Sequence, residues 1–444
     1  EGDTIAAEAT PPGRGGISVI RVSGPLTMVT CGRFFNRPLP SPGCHRFGEW
    51  LRVPSGEAII DEVVIACFSA PNSYTGEDVV EISTHGTPVI VADVLNCLYS
   101  DGVRPAQPGE FTYRAFLNGR IDLTQAEAVA DLINSSSQEA ADQAIRQLRG
   151  GIGLVVERIA EGILSVLTQC ELELDFVDED VELTSSKEKL SSIRSASALL
   201  EGLLSGYQRS RRLREGVSVA IVGSPNVGKS SLFNRLLEDD RAIVHSQPGT
   251  TRDIVTGHFF INGIRFNLFD TAGMRVSEDE IEEEGIRRDI EAADSSDVII
   301  SVISVDIMED VNLGNLSRAK VINVLNKIDL VNAPPSDILH GINMIKVSSH
   351  TGVGINQLRE SIYNIVVSDS SSESVSISRE RHYRAVMESQ AGLGRAESLL
   401  LDGAPVEIIA EELRDSLSAI DSITGKHRLE GLLDRIFSEF CVGK

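Results

Sequence analysis

Hydrophobic and polar positions alternate in short runs over the first part of the chain. ISVIRVSG (17–24), AIIDEVVIACFSA (58–70) and VVEISTHG (79–86) are separated by PPGRGG, RPLPSPG and APNSYTG. A period of two with Pro/Gly punctuation predicts short, mostly antiparallel strands, and so an α+β domain over 1–118. The period then changes. Thr124 and Glu127 (TQAE) form an expected capping box ahead of an Ala-rich run with helical spacing. No proline occurs between Pro108 and Pro225, and 119–214 is predicted to be helical. From Val217 apolar runs return: VSVAIVG (217–223), GHFFING (257–263), IRFNLFD (264–270), DVIISVISVD (297–306), KVINVLN (320–326) and NMIKVSS (343–349). Their alternation with polar helical stretches predicts an α/β domain over 215–370 with a mostly parallel, doubly wound sheet. Asn262-Gly263 predicts a hairpin that sets one antiparallel strand at its edge. SDSSSESVSIS (368–378) reads as a linker, and 371–444 returns to helical spacing. The expected plan is an α/β domain inserted into a helical domain, preceded by the α+β domain.

Length and charge narrow the classes. A chain of 444 residues is expected to hold two to four domains. Its 41% hydrophobic and 24% charged residues are those of an ordinary globular protein, which excludes a disordered chain. No apolar run approaches the roughly 18 residues of a membrane span, and EGDTIAAEATPPGRGG has no signal-peptide pattern, so no membrane association is expected. Six scattered cysteines without a CxxC pair point to reduced thiols and a cytoplasmic location. A net charge of −24 argues against broad non-specific nucleic-acid binding and leaves room for a local basic patch.

The chemistry concentrates in the α/β segment. Gly223-Ser-Pro-Asn226-Val227-Gly228-Lys229-Ser230, followed by Ser231, is a GxxxxGKS between an apolar strand and a helical pattern. Such a loop turns its N–H groups towards a phosphate, with Lys229 reaching the β- and γ-phosphates and the Ser230 hydroxyl available to Mg²⁺. Asp270-Thr271-Ala272-Gly273 follows a strand, where a carboxylate can hold Mg²⁺ through water and a backbone N–H can sense the γ-phosphate. Asn326-Lys327-Ile328-Asp329 follows another. The Asp329 carboxylate can accept from two donors on the guanine edge, which adenine lacks, so the expected ligand is GTP (or GDP). In this order the three motifs resemble the translation-factor-like branch of Ras-type GTPases. By that resemblance Gly249-Thr250-Thr251-Arg252-Asp253 is switch I, with Thr251 a second Mg²⁺ ligand, and Ser348-Ser349-His350 is the base-contact loop. Ser349 stands where alanine is usual.

The position that carries a water-orienting glutamine in Ras-like enzymes is Met274, which predicts another residue for that role. The acidic run 278–284 holds candidates, although on spacing alone a solvated helix start is the favoured reading. No arginine finger is evident. Asn226 and the loop His245-Ser246-Gln247-Pro248-Gly249-Thr250 are suited to a monovalent cation near the β–γ bridge, although Asn226 is equally suited to capping its own loop.

Beyond these motifs the chain resembles the MnmE (TrmE) family of tRNA-modification GTPases along its whole length. The match includes ATPPGRGGISVIRVSG (9–24), PNSYTGEDVVEISTHG (71–86), PGEFTYRAFLNGRIDLTQAEAVADLI (108–133) and Cys-Val-Gly-Lys (441–444). The resemblance implies a homodimer that works with the FAD-containing flavoprotein MnmG, in a heterotetramer. Together they place an aminomethyl-type group on carbon-5 of the wobble uridine of certain tRNAs. It implies a one-carbon unit from 5,10-methylene- or 5-formyl-tetrahydrofolate, held in the N-terminal domain by Arg21, Glu81, Arg120 and Lys444. It implies K⁺-dependent pairing of GTPase domains, with Asn226, His245, Gln247 and Thr250 as K⁺ ligands. Catalytic roles fall to Glu282 as the water-orienting residue, to Arg252, and to Cys441 as a candidate thiol. Arg209, Arg211, Arg212 and Arg214, with Arg379, Arg381 and Arg384, are either a tRNA-contacting patch or charged hinge residues. The competing readings are a ribosome-assembly GTPase switch and a folate-dependent one-carbon transferase regulated by GTP.

Overall fold

The computed structural model describes residues 2–54, 56–135, 137–175, 185–238, 255–270, 296–307, 320–331, 338–339, 342–367 and 376–426, with 433, 436, 437, 440 and 443. These residues divide into two compact units: 1–134 with 144–200 and 384–444, and 135–143 with 201–383.

The first unit opens with a sheet ordered β3-β4-β5-β2-β1-β6. Its strands are β1 (Ile5–Glu8), β2 (Ser18–Ser23), β3 (His45–Leu51), β4 (Ile59–Phe68), β5 (Val79–Thr84) and β6 (Arg104–Pro105). Every pairing is antiparallel except β1–β6. Alternation sorts the faces: Ile20, Val22, Ile65, Val80 and Ile82 point to a core closed by α1 (Thr27–Phe34) and α2 (Pro88–Ser100). Arg21 and Glu81, directly cross-strand, share the opposite face with Ala7.

After α3 (Glu110–Leu117), α4 spans Leu123–Ile133. The expected Thr124/Glu127 box is displaced by two residues. Asp122 is the N-cap, its carboxylate accepting from the Gln125 N–H at 2.8 Å while the Gln125 side chain accepts from the Asp122 N–H at 3.0 Å. Thr124 and Glu127 are buried instead, because the face that carries them packs inward. Then come α5 (Gln138–Leu148), α6 (Gly151–Asp175), α7 (Ser186–Ser205) and α8 (Tyr207–Glu215). Late in the chain α6 meets a helix at Val406–Thr424 across rows such as Val156, Ile159, Ile163 and Leu413, Ile420, Ile423. Phe437 and Phe440 pack with Phe116 and Leu123, and Phe437 lies edge-on to Tyr113.

The second unit carries the doubly wound sheet, ordered β14-β11-β10-β7-β9-β8. Its members are β7 (Val217–Val222), β8 (Val255–Ile261), β9 (Ile264–Asp270), β10 (Val298–Ser304), β11 (Lys320–Asn326) and β14 (Ile345–Lys346), with β12 (Ile338–Leu339) and β13 (Ile342–Asn343) a separate pair. All ladders of the six-stranded sheet are parallel except β8–β9, which closes through Asn262 and Gly263 at φ 47° and 80° and leaves β8 at the edge, as the Asn-Gly pair predicts. The run 343–349 yields only a two-residue strand in this sheet. Val347 still donates to the Leu325 carbonyl at 2.8 Å and its side chain enters the core, and beyond it Ser348 and Ser349 turn towards Asp329 and Asn326. The helices α9 (Lys229–Glu238) and α10 (Ile355–Val367) supply Leu232, Leu236, Leu358 and Ile362 to that core. The remaining long helices are α11 (Glu380–Leu401) and α12 (Val406–Thr424). No helix among the described residues is long and apolar enough to cross a membrane.

Candidate functional site

The loop between β7 and α9 is closed by its own geometry. Gly228 has φ 95°, and a Cβ there would strike the Asn326 amide nitrogen, so glycine is required twice over. Asn226 takes a left-handed φ of 64° with its side chain exposed and bonded to no other described residue, so it does not cap its own loop. Lys229 lies across the loop and donates to the carbonyls of Gly223 at 2.5 Å and Ser224 at 3.4 Å. Those bonds hold the ammonium against the loop itself. Ser230 and Ser231 are exposed in the first turn of α9, and Val227 is fully buried beneath the loop. A hydroxyl at a helix N-terminus beside a lysine is a donor set that suits Mg²⁺ with phosphate oxygens.

The base-reading end stands at the end of β11, with β10 between it and β7. Asn326 is 1% exposed; its nitrogen donates to the Val227 carbonyl at 3.0 Å, and its oxygen accepts from the Ser349 N–H and hydroxyl. Asp329 is exposed and oriented by the Ser348 hydroxyl at 2.5 Å, a bond that holds its carboxyl below the usual carboxylate range. It therefore stays ionised, as recognition of two guanine N–H donors demands. Lys327, at φ 61°, pairs with Asp306 at 2.9 Å. Asp306 has no motif around it, and sequence reasoning missed it. His350 adds its carbonyl as an acceptor for Arg235.

A second cluster lies on the face of the first sheet away from α1 and α2. Arg21 donates through Nε (3.0 Å) and Nη2 (2.8 Å) to the same Glu81 oxygen, and its guanidinium sits 4.9 Å from the Tyr74 ring centroid and 5.7 Å from that of Phe111. Its Nη1 is buried with no hydrogen-bond partner. A buried charged donor left open is costly. Arg120 is exposed and donates to the Ser73 carbonyl at 3.1 Å. Residues 73–76 thus bring Arg120 and Arg21 to one loop. Tyr74 and Phe111 were not singled out in the sequence, although both fall inside the quoted motifs.

That loop is held from below. Arg114, 9% exposed, donates to Asp3, Glu77 and Glu110, while Arg104 bridges Asp3 and Glu110. Glu77 also accepts from Ser23 at 2.7 Å. Burial alone would push Glu110 up; Arg104 and the neighbouring donors bring it below the usual range. Gly443 lies so close to the Glu8 carbonyl and Ala9 that a Cβ would strike them, which sets Gly443 beside the end of β1.

Part of the basic clusters is paired internally, while Arg209 is exposed. Arg211 pairs with Glu215 at 2.8 Å, Arg212 with Asp297 at 3.4 Å and Arg214 with Glu215. Arg379, Arg381 and Arg384 also have partners. Several expected residues lie outside the described ones: His245, Ser246, Gln247, Pro248, Gly249, Thr250, Thr251, Arg252, Thr271, Ala272, Gly273, Glu282, Cys441 and Lys444. Of Asp270 only the backbone is described, at the end of β9.

A GKS loop on a parallel sheet, with an ionised Asp329 after β11, one strand beyond the neighbour of β7, is the arrangement of a P-loop GTPase. Comparisons sharpen the class. The family described as "GTP-binding protein TrmE N-terminus" matches residues 4–120, and "MnmE helical domain" matches 123–441. The tRNA modification GTPase MnmE of Koribacter versatilis is 41% identical over 455 residues, covering 100% of this chain and 99% of the relative. Those of Geobacter metallireducens and Coxiella burnetii are 40% and 37% identical at the same coverage. The chain belongs to the MnmE family of tRNA modification GTPases.

Proposed function

We propose that this GTPase acts with an FAD-containing flavoprotein of the MnmG kind to add an aminomethyl or carboxymethylaminomethyl group to carbon-5 of the wobble uridine of certain tRNAs, drawing the one-carbon unit from a tetrahydrofolate derivative. The carrying observation is the open, buried Arg21 Nη1 beside Glu81, on a face reached by Arg120. A guanidinium and a carboxylate side by side suit the alternating acceptors and donors of a pterin, and Arg120 suits the glutamate tail, with Lys444 as its partner. The bound folate would supply the carbon; this chain's residues bind and orient it. Phe47 and Val64, exposed one cross-strand row from Glu81, support the same face as the homodimer surface.

At the nucleotide, Lys229 and the loop from Asn226 to Ser231 hold the phosphates, and Asn326, Lys327, Asp329 and Ser348 to His350 hold the base. Ser230 and Thr251 would hold Mg²⁺, which supplies charge neutralisation at the phosphates, with 270–273 alongside. Asn226, whose side chain is exposed and unbonded to other described residues, would hold K⁺ with His245, Gln247 and Thr250. Glu282 orients the attacking water, with Arg252 in switch I. The domain limits are 1–118 for folate binding and dimerisation, 119–214 and 371–444 for the helical domain, and 215–370 for the GTPase domain. The location is cytoplasmic.

Two measurements test this. Equilibrium binding of 5-formyl-tetrahydrofolate should be lost in Arg21→Ala; undiminished binding rejects the folate site. GTP turnover should be far faster in K⁺ than in Na⁺ at equal ionic strength, and equal rates reject the cation mechanism.

A further inference from the structure

An amide side chain offers two N–H donors and two acceptor positions on its oxygen. In Asn326 both acceptor positions are filled by one residue: Ser349 gives its backbone N–H at 3.2 Å and its hydroxyl at 3.0 Å. The nitrogen reaches across to the Val227 carbonyl at 3.0 Å, inside the phosphate-binding loop, and lies where a side chain at position 228 would be. All three residues are buried, so no water competes for these bonds. The amide therefore spans the two ends of the nucleotide site, and its orientation is fixed from the Ser349 side. An alanine at 349 would keep the N–H and leave one position on a buried carbonyl oxygen open.

We infer that Ser349 is a positioning residue whose hydroxyl, acting through Asn326, holds the curl of the phosphate-binding loop. Base loop and phosphate loop are thereby set as one rigid element, independently of any contact between Ser349 and the nucleotide. The phosphate end should then sense position 349 even when the ligand has no base.

The full chain is titrated in Mg²⁺ with a fluorescent GDP, and inorganic pyrophosphate is measured by competition, in the parent, Ser349→Ala, Asn326→Ala and the double variant. Ser349→Ala should weaken GDP and pyrophosphate alike, by about fivefold, the effect of one neutral hydrogen bond. In the Asn326→Ala background the same change should add nothing. Weakened GDP with unchanged pyrophosphate would overturn the inference and confine Ser349 to the base. Unchanged affinity for both would overturn it too, as would a full additive loss in the double variant. The pyrophosphate comparison stands on Ser349→Ala alone should Asn326→Ala fail to fold.

Discussion

Replacing Arg114 by methionine removes a cation of similar length from beneath the 73–77 loop. Of its three carboxylate partners, Asp3 and Glu110 keep Arg104. Glu77 keeps only hydrogen bonds such as that from Ser23, and its side chain is 23% exposed. One partly buried carboxylate is thus stripped of the cation that faces it, and the Asp3 carbonyl loses its donor at 2.8 Å. Breaking a buried pair from one side costs about 3–5 kcal/mol, and the partial exposure of Glu77 sets the expectation at the lower end, about 3 kcal/mol. The chain carries its own reporter: Trp50 is the only tryptophan and is fully buried in the core of the same sheet. Its fluorescence in a urea titration reads that unit alone. With a slope of about 1–3 kcal/mol/M, the midpoint should fall by about 1–3 M at unchanged slope. A second change, Glu77→Gln, should recover part of the loss. The acid limb has a definite sign. The hydrogen bond from Arg104, and with it Arg114, holds Asp3 at about 2 against 3.8. Its contribution is complete above 3.8 and disappears as pH falls towards 2, so Arg114→Met should flatten that limb. A midpoint within about 0.3 M of the parent would refute the reasoning.

Asp329→Asn should reverse base preference, because an amide donor meets the 2-oxo group of xanthine; GTP affinity should drop on the order of a hundredfold while XTP gains, and retained GTP preference would count against Asp329 as the base reader. Ser348→Ala should release the Asp329 carboxyl towards its ordinary value. GTP affinity, which needs the ionised form, should then fail at a higher pH than in the parent as acid is added; superimposable profiles would contradict this. Gly443→Ala places a methyl against the Glu8 carbonyl at a φ of 93°. It should weaken 5-formyl-tetrahydrofolate several-fold and leave GDP binding intact, as read by titration of each.

The GTP-binding fold was legible because its signals are local. Apolar strands buried on both faces read as continuous runs, and Asn262-Gly263 can close few structures other than a hairpin. The capping box was misread because DLTQ and TQAE offer two overlapping boxes, and only the packing of Thr124 and Glu127 into the interior chooses between them. The 343–349 strand was overextended because an apolar run does not reveal that Ser348 and Ser349 are drawn away to Asp329 and Asn326. Of the cluster around Tyr74, Arg21, Glu81 and Arg120 came only from resemblance. Their neighbours Tyr74, Phe111 and Arg114 come from distant segments, and nothing in their spacing announces a shared loop. Asp306 beside Lys327 likewise depends on the return of one strand next to another.

The place of Gly443 beside Glu8 has a consequence for biosynthesis. Strand β1 leaves the ribosome early, whereas Gly443, which lies against its end, follows only after the whole GTP-binding domain has been made. Domains fold as they emerge, at about 5–20 residues per second. The nucleotide site is therefore complete while the contact at the end of β1 is still missing. A chain interrupted late in translation would bind GTP normally yet lack that contact, so nucleotide binding alone is no proof of a finished enzyme.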